Sequence, residues 1–256
     1  MNSTTNTANA AENKMGIMPV RKLLVNMSLP MMCSMLVQAM YNVVDSVFVS
    51  HVSEDALTAV SLAFPIQSLI IAIGAGTGVG VNALVSRALG EKKRDEADKV
   101  ALHGIFLSFL SYIAFLIVGL FLVKPFYATQ TDSPIIAAYG YDYLSVCSIF
   151  SIGIFTQFIF ERLLQSTGRT FHTMITQTVG AVTNIILDPI MIFGLLGFPA
   201  MGVAGAAWAT VSGQAVGMVV GVILLHKHAT VKLRPIVVKE IDNNSVKRLF
   251  KPDGSI

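Results

Sequence analysis

The sequence predicts an all-α integral membrane protein whose six transmembrane helices form one bundle. Three observations predict it. Of 256 residues, 54% are apolar and only 13% charged, against about 25% charged in a soluble domain. Six stretches hold no Asp, Glu, Lys or Arg: Leu23 to Val44, Ala56 to Ser86, Val100 to Val123, Tyr143 to Phe160, Thr170 to Leu187 and Pro189 to His226. About 20 mainly apolar residues suffice to cross the hydrocarbon core. The positive residues, finally, fall almost entirely in every second loop. A soluble enzyme is excluded.

The elements follow in order. Residues 1–22 read as a polar cytoplasmic tail rich in Asn, Thr and Ala. The apolar run after it is longer than a signal-peptide core and has no evident small-residue cleavage site, so it reads as a retained first span. The spans are expected near Ser28 to Ser50, Leu57 to Ser86, Val100 to Val123, Ala137 to Phe160, Thr170 to Phe193 and Met201 to Leu225. Ser53-Glu54-Asp55 closes the first, Gly90 to Arg94 the second and Lys124-Pro125 the third. Arg162 to Arg169 and Gly194 to Gly202 make the later turns. Residues 23–226 thus form the bundle, and 227–256 a basic connector that stops short of any further span.

Counting Lys and Arg orients the spans. Seventeen of the 18 lie on one side, and Lys124 alone lies on the other. Loops rich in Lys and Arg stay in the cytoplasm, so both termini are expected there, in a multi-pass protein of the inner cell membrane. Cys33 and Cys147 sit inside apolar spans as small core residues.

Side chains that lipid disfavours carry the functional signal. Asp45 in the first span and Asp188 in the fifth lie well inside apolar segments. A charge at mid-bilayer costs about 2.5–3.5 kcal/mol on insertion scales, and such residues face a cavity or a partner. Gln177, Ala181, Asn184 and Asp188 share one helix face. Pro189 has no N–H for the carbonyl of Ile185, which is left free on that helix. Carboxylate, amide and free carbonyl together suit H⁺ or Na⁺, with Asp188 and Asn184 as candidate Na⁺ ligands. Ser34, Gln38, Asn42 and Asp45 make a matching stripe in the first span, with Tyr41 at its edge. Gln38, Tyr41, Asn42 and Gln177 are therefore candidate cavity or substrate residues.

Weaker signals are read structurally. Thr210 and Gln214 share a face of the sixth span and suit either an added oxygen ligand or helix–helix hydrogen bonding. Glu161 beside Arg162, between Gln157 and Gln165, reads as an interfacial ion pair. Asp142 among Tyr139, Tyr141 and Tyr143 reads as an aromatic-belt position. Gly76/Gly80, Gly213/Gly217 and Gly217/Gly221 read as small-residue packing pairs rather than a nucleotide loop. No phosphate loop, nucleophile elbow or metal-ligand cluster is present, so no catalytic residue and no bound cofactor are expected.

Four segments in order resemble the multidrug and toxic compound extrusion (MATE) transporters. They are Asp45 to His51 followed by Ala56 to Ser61; Leu84 to Gly90; Asn184 to Pro189; and Met201 to Thr210. The resemblance implies antiport, in which cationic or amphipathic drugs and toxic compounds leave as H⁺ or Na⁺ enters. It implies two six-helix lobes in a twelve-helix fold, of which this chain matches the first. It also implies cation coupling at Asp45, Asp188, Asn184 and Thr210, and bending of the first helix at Pro30. A second lobe, on a separate chain or in a homodimer, is the implied partner, and this half is expected to be inactive alone. Alternatives are a lipid-linked saccharide flippase, disfavoured by the lack of mid-span Lys or Arg, and a non-transporting membrane fragment or assembly subunit. No nucleic-acid partner is implied.

Overall fold

The computed structural model describes residues 18–228, and every regular element among them is helical. In chain order these are α1 (Val20–Ser50), α2 (Glu54–Gly90), α3 (Arg94–Ile117), a π-helical turn (Val118–Leu122), α4 (Val123–Gln130), α5 (Pro134–Ile149), α6 (Ile152–Ser166), α7 (Thr170–Phe193), a short 3₁₀ turn (Leu195–Gly197) and α8 (Val203–His228). Five spans are long and apolar enough to cross a membrane, and α5 with α6 makes a sixth, bent by 45°. Most of the polar tail with Lys14, and nearly all of the basic connector with its Lys and Arg residues after Lys227, lie outside the described residues.

Local chemistry explains most boundaries. Ser53 caps α2 by accepting from the Ala56 N–H at 3.0 Å, and Glu54 and Asp55 stand in the positive first turn. The end of α2 closes with Lys92 N on Leu89 O at 3.1 Å and Lys93 N on Ala88 O at 2.9 Å. That pairing needs a left-handed residue, supplied by Lys92 at φ 61°. Gly194 ends α7 at φ 74°, and the loop returns so that Met201 N and Gly202 N reach the terminal carbonyls of Met191 and Ile192 at 3.0 and 3.1 Å.

Two boundaries depart from the sequence expectation. α1 begins at Val20, eight residues early, so that Arg21 and Lys22 stand in its first turn ahead of the apolar run. Lys124-Pro125 does not end the third span, which continues to Gln130. A proline clashes with the carbonyl four residues back, here Phe121, and that residue lies in the widened π turn.

α7 and α8 make the most extensive contact. α1 packs chiefly along α7, whereas α2 packs on α3, α5 and α6, and α8 also covers α5 and α6. Glycines set the α7–α8 approach. A Cβ on Gly213 would stand 2.7 Å from the Gly180 carbonyl oxygen and 3.1 Å from Asn184 Cβ. Gly213 therefore packs on α7 as expected, but Gly217 meets the Gln157 side chain of α6 and Gly76 faces open space. In α2 the close approaches belong to Gly74 and Gly78, against Phe158 and Arg162. Four-residue spacing does not say which face of a helix meets its neighbour.

Candidate functional site

The candidate site forms where α1, α7 and α8 converge. Asp188 is fully buried and Asn184, one turn earlier on α7, is 2% exposed. The Asn184 amide lies 3.4 Å from Asp188 Oδ1 and 3.3 Å from Thr210 Oγ1 on α8. One amide orientation satisfies both ends: Nδ2 donates to Asp188 Oδ2 at 3.1 Å, while the oxygen accepts from Thr210 Oγ1 and N at 3.3 and 3.1 Å. Asn184 thus links a carboxylate to a hydroxyl across the most extensive helix contact among the described residues. The small residues Gly180 and Gly213 make that contact possible.

Asp45 comes from α1. It is 8% exposed, and its Oδ1 finds no hydrogen-bond partner among the described residues. Tyr41 stands one turn before it on α1, which packs along the α7 helix that carries Asp188. Two carboxylates therefore share one low-dielectric region with an amide, a hydroxyl and a phenol. Two buried carboxylates so placed disfavour being ionised together, and the Asp45 carboxylate has an oxygen open to a further partner. No cluster of three or more His, Cys, Asp or Glu groups occurs among the described residues. The donors at this site are oxygens, which suit hard cations rather than thiolate-preferring soft metals.

The remaining expected residues separate. Tyr41 is half-buried, whereas Gln38 and Asn42 are exposed on the same helix. Pro30 lies within a continuous α1, and Ser34 Oγ donates to its carbonyl at 2.8 Å. Pro189 lies directly after Asp188 inside α7. Gln177 does not join the Asp188 site. Its Nε2 donates to Glu161 Oε2 at 2.8 Å, on α6.

Glu161 is the main correction. The expected surface pair with Arg162 does not form: Glu161 is 2% exposed, and Arg162 Nη1 donates to Gln165 Oε1 at 2.7 Å. Successive residues of a helix do not face each other, so adjacency in sequence was a poor guide. Sequence reading also missed Gln67, whose Nε2 lies 3.1 Å from the Tyr143 hydroxyl. An amide two residues after Pro65 in an otherwise apolar span was the available signal.

Residues 30–190 match the MatE family model. The chain belongs to the MatE family. It is 31% identical over 216 residues to a protein named FAD transporter from Shewanella oneidensis, covering 82% of this chain and 47% of that protein. It is 28% identical to a probable multidrug resistance protein NorM from Thermotoga maritima (84% and 46%) and 26% identical to the multidrug export protein MepA from Staphylococcus aureus (91% and 51%). Among solved structures, an outward-facing multidrug resistance MATE family transporter superposes with a TM-score of 0.82 at 28% identity, covering 90% of this chain and 50% of that one. A transporter from Pyrococcus furiosus of the same superfamily matches equally well. The chain spans about half the length of the curated relatives it matches, and its bundle is one lobe of the MATE fold. As a MatE member it is a multi-pass membrane protein of a transporter family, not an enzyme.

Proposed function

We propose that this chain supplies one six-helix lobe of a cation-coupled antiporter that exports cationic or amphipathic toxic compounds. The observation that carries the reading is the buried link Asp188–Asn184–Thr210 beside the unpartnered carboxylate of Asp45. Entry of H⁺ or Na⁺ neutralises the pair and changes what Asn184 bonds, and this repositions α7 against α1 and α8. A cationic cargo competes for the same negative region, so ion entry favours its release. Alternating access rocks one bundle against another around a midplane site. In this reading a second six-helix bundle, on the same or another chain, completes the transporter, which lies in the cytoplasmic membrane with its Lys- and Arg-rich loops inside.

The experiment is equilibrium binding of ethidium to the purified protein in lipid nanodiscs, with and without a co-expressed second lobe, across pH and Na⁺ concentration. Ion-dependent displacement of the dye is expected from the native chain and is lost in Asp188→Asn. Displacement that persists unchanged in that variant refutes the reading. The FAD transporter relative favours a second reading with an anionic dinucleotide cargo, in which FAD rather than ethidium is displaced by ions.

A further inference from the structure

We propose that Glu161 is a second proton-binding site of this lobe, built at the α6–α7 contact and separate from the Asp45–Asp188 site. Its carboxylate is cradled by side chains from two helices. Oε1 accepts from Gln157 Nε2 at 2.9 Å and Oε2 from Gln177 Nε2 at 2.8 Å, while the Thr176 hydroxyl stands 3.2 Å from Oε1 and divides its one proton between that oxygen and the Thr173 carbonyl at 2.7 Å. Thr173 Oγ1 reaches the Glu161 main-chain oxygen at 3.4 Å. Neither ion pair among the described residues includes Glu161.

The kind of partner matters. Lysine and arginine only donate, and they hold a buried carboxylate ionised. Amides and hydroxyls both donate and accept. The Thr176 hydroxyl can rotate and either glutamine amide can turn, so the same cradle serves Glu161 with or without its proton. The proton comes from water and joins one carboxylate oxygen, and no other bond changes. Gln157 and Gln177 are only partly buried, and in this proposal the proton enters along them.

The charged surroundings are sparse. Arg162 follows in sequence, packs on Gly78 of α2 and donates to Gln165 rather than to Glu161. His172 stands one turn before Thr176 on α7, and His103 on α3 contacts the Lys99 carbonyl at 2.6 Å. α8 between Val203 and Leu225, and α2 between Pro65 and Ser86, carry no ionisable side chain other than Cys or Tyr, and neither of these occurs there. Gln177 and Asp188 lie 11 residues apart on α7, about 16 Å along its axis. One helix thus carries the partners of two carboxyl groups at different depths. Protonating Glu161 weakens its hold on Thr176 and Gln177 and so loosens α6 from α7.

The test is infrared difference spectroscopy of the purified protein in lipid nanodiscs, stepped from alkaline to acid pH. A protonated-carboxyl band should appear that survives in D45N/D188N, is lost in E161Q and is displaced in frequency in E161D. Absence of the band from D45N/D188N overturns the proposal, as does a band unmoved by both Glu161 variants. Where E161Q does not yield folded protein, Gln177→Leu removes one donor and should shift half-titration of the band by roughly tenfold in proton concentration. An unmoved midpoint there also overturns it. No cargo enters the measurement, so its outcome is distinguishable from failure of the efflux reading.

Discussion

Phe48 of α1 and Phe193 of α7 meet edge to face, with ring centroids 6.3 Å apart. The contact fixes the two helices parallel and in register at one end. Asp45 lies three residues before Phe48 and Asp188 five before Phe193. At about 1.5 Å per residue the two carboxylates stand at nearly one level. Phe48→Ala should lower thermal stability in detergent by about 1–3 kcal/mol and let α1 slip along α7. Crosslinking between cysteines placed elsewhere on α1 and α7, with Phe48 kept or replaced by Ala, measures the register. With Phe48 kept, crosslinking as efficient as that of pairs shifted one turn along α7 would contradict this.

Asn184 holds the candidate site together, so its loss should be felt in ion affinity before stability. Asn184→Ala leaves Asp188 without its amide donor and Thr210 without its acceptor. Groups that orient a ligand of an ion typically contribute 10–100-fold in affinity. A fall of about that size is expected in the Na⁺ or H⁺ concentration dependence of dye displacement. Thr210→Val, which removes only the hydroxyl, should show a smaller fall in the same assay.

Gly213→Val should separate α7 from α8. The added side chain begins 2.7 Å from the Gly180 carbonyl, which is backbone and cannot turn aside, and presses on Asn184 Cβ. Overpacking of this kind costs about 1–3 kcal/mol, to be read from thermal unfolding in detergent. Gly76→Val meets open space and should leave the unfolding temperature nearly unchanged.

Lys92 adopts φ 61° at the end of α2, a conformation that costs a non-glycine residue about 1–2 kcal/mol. Lys92→Gly should therefore raise stability, by about 1 kcal/mol once the entropy of the glycine is counted. A lowered unfolding temperature would show that the lysine side chain contributes more than its backbone costs.

Glu91, outside the membrane, accepts from Lys93 Nζ at 2.6 Å and from Arg87 Nε at 3.0 Å. These two partners, Lys93 first, hold its carboxyl below the ordinary carboxylate range. Its contribution is present above the ordinary Glu value and fades as pH falls through the lowered folded value. All three side chains are substantially exposed, and salt screens such pairs. The acid-side difference in unfolding temperature between the native chain and Glu91→Gln should vanish in high salt.

The spans were legible because hydropathy depends on composition, and lipid enforces composition segment by segment. Asp45 and Asp188 were legible for the same reason: a carboxylate inside an apolar run is rare and expensive. The face carrying Asn184 and Asp188 followed from helical periodicity alone. Sequence by itself therefore determined a bundle of apolar helices with acids on two of them.

Tertiary structure decided the partners. Glu161 lies at the end of an apolar run beside an arginine, a pattern equally suited to a solvated helix end. Only the rotation of α6 against α7 turns it inward to Thr176 and Gln177. The same rotation takes Gln177 from the face it shares with Asp188 and gives it to another carboxylate. Close approach at Gly180 and Gly213 then sets Asn184 within reach of Thr210. These are distances between different helices, and helix rotation and depth are set by side-chain packing across contacts that no single segment contains.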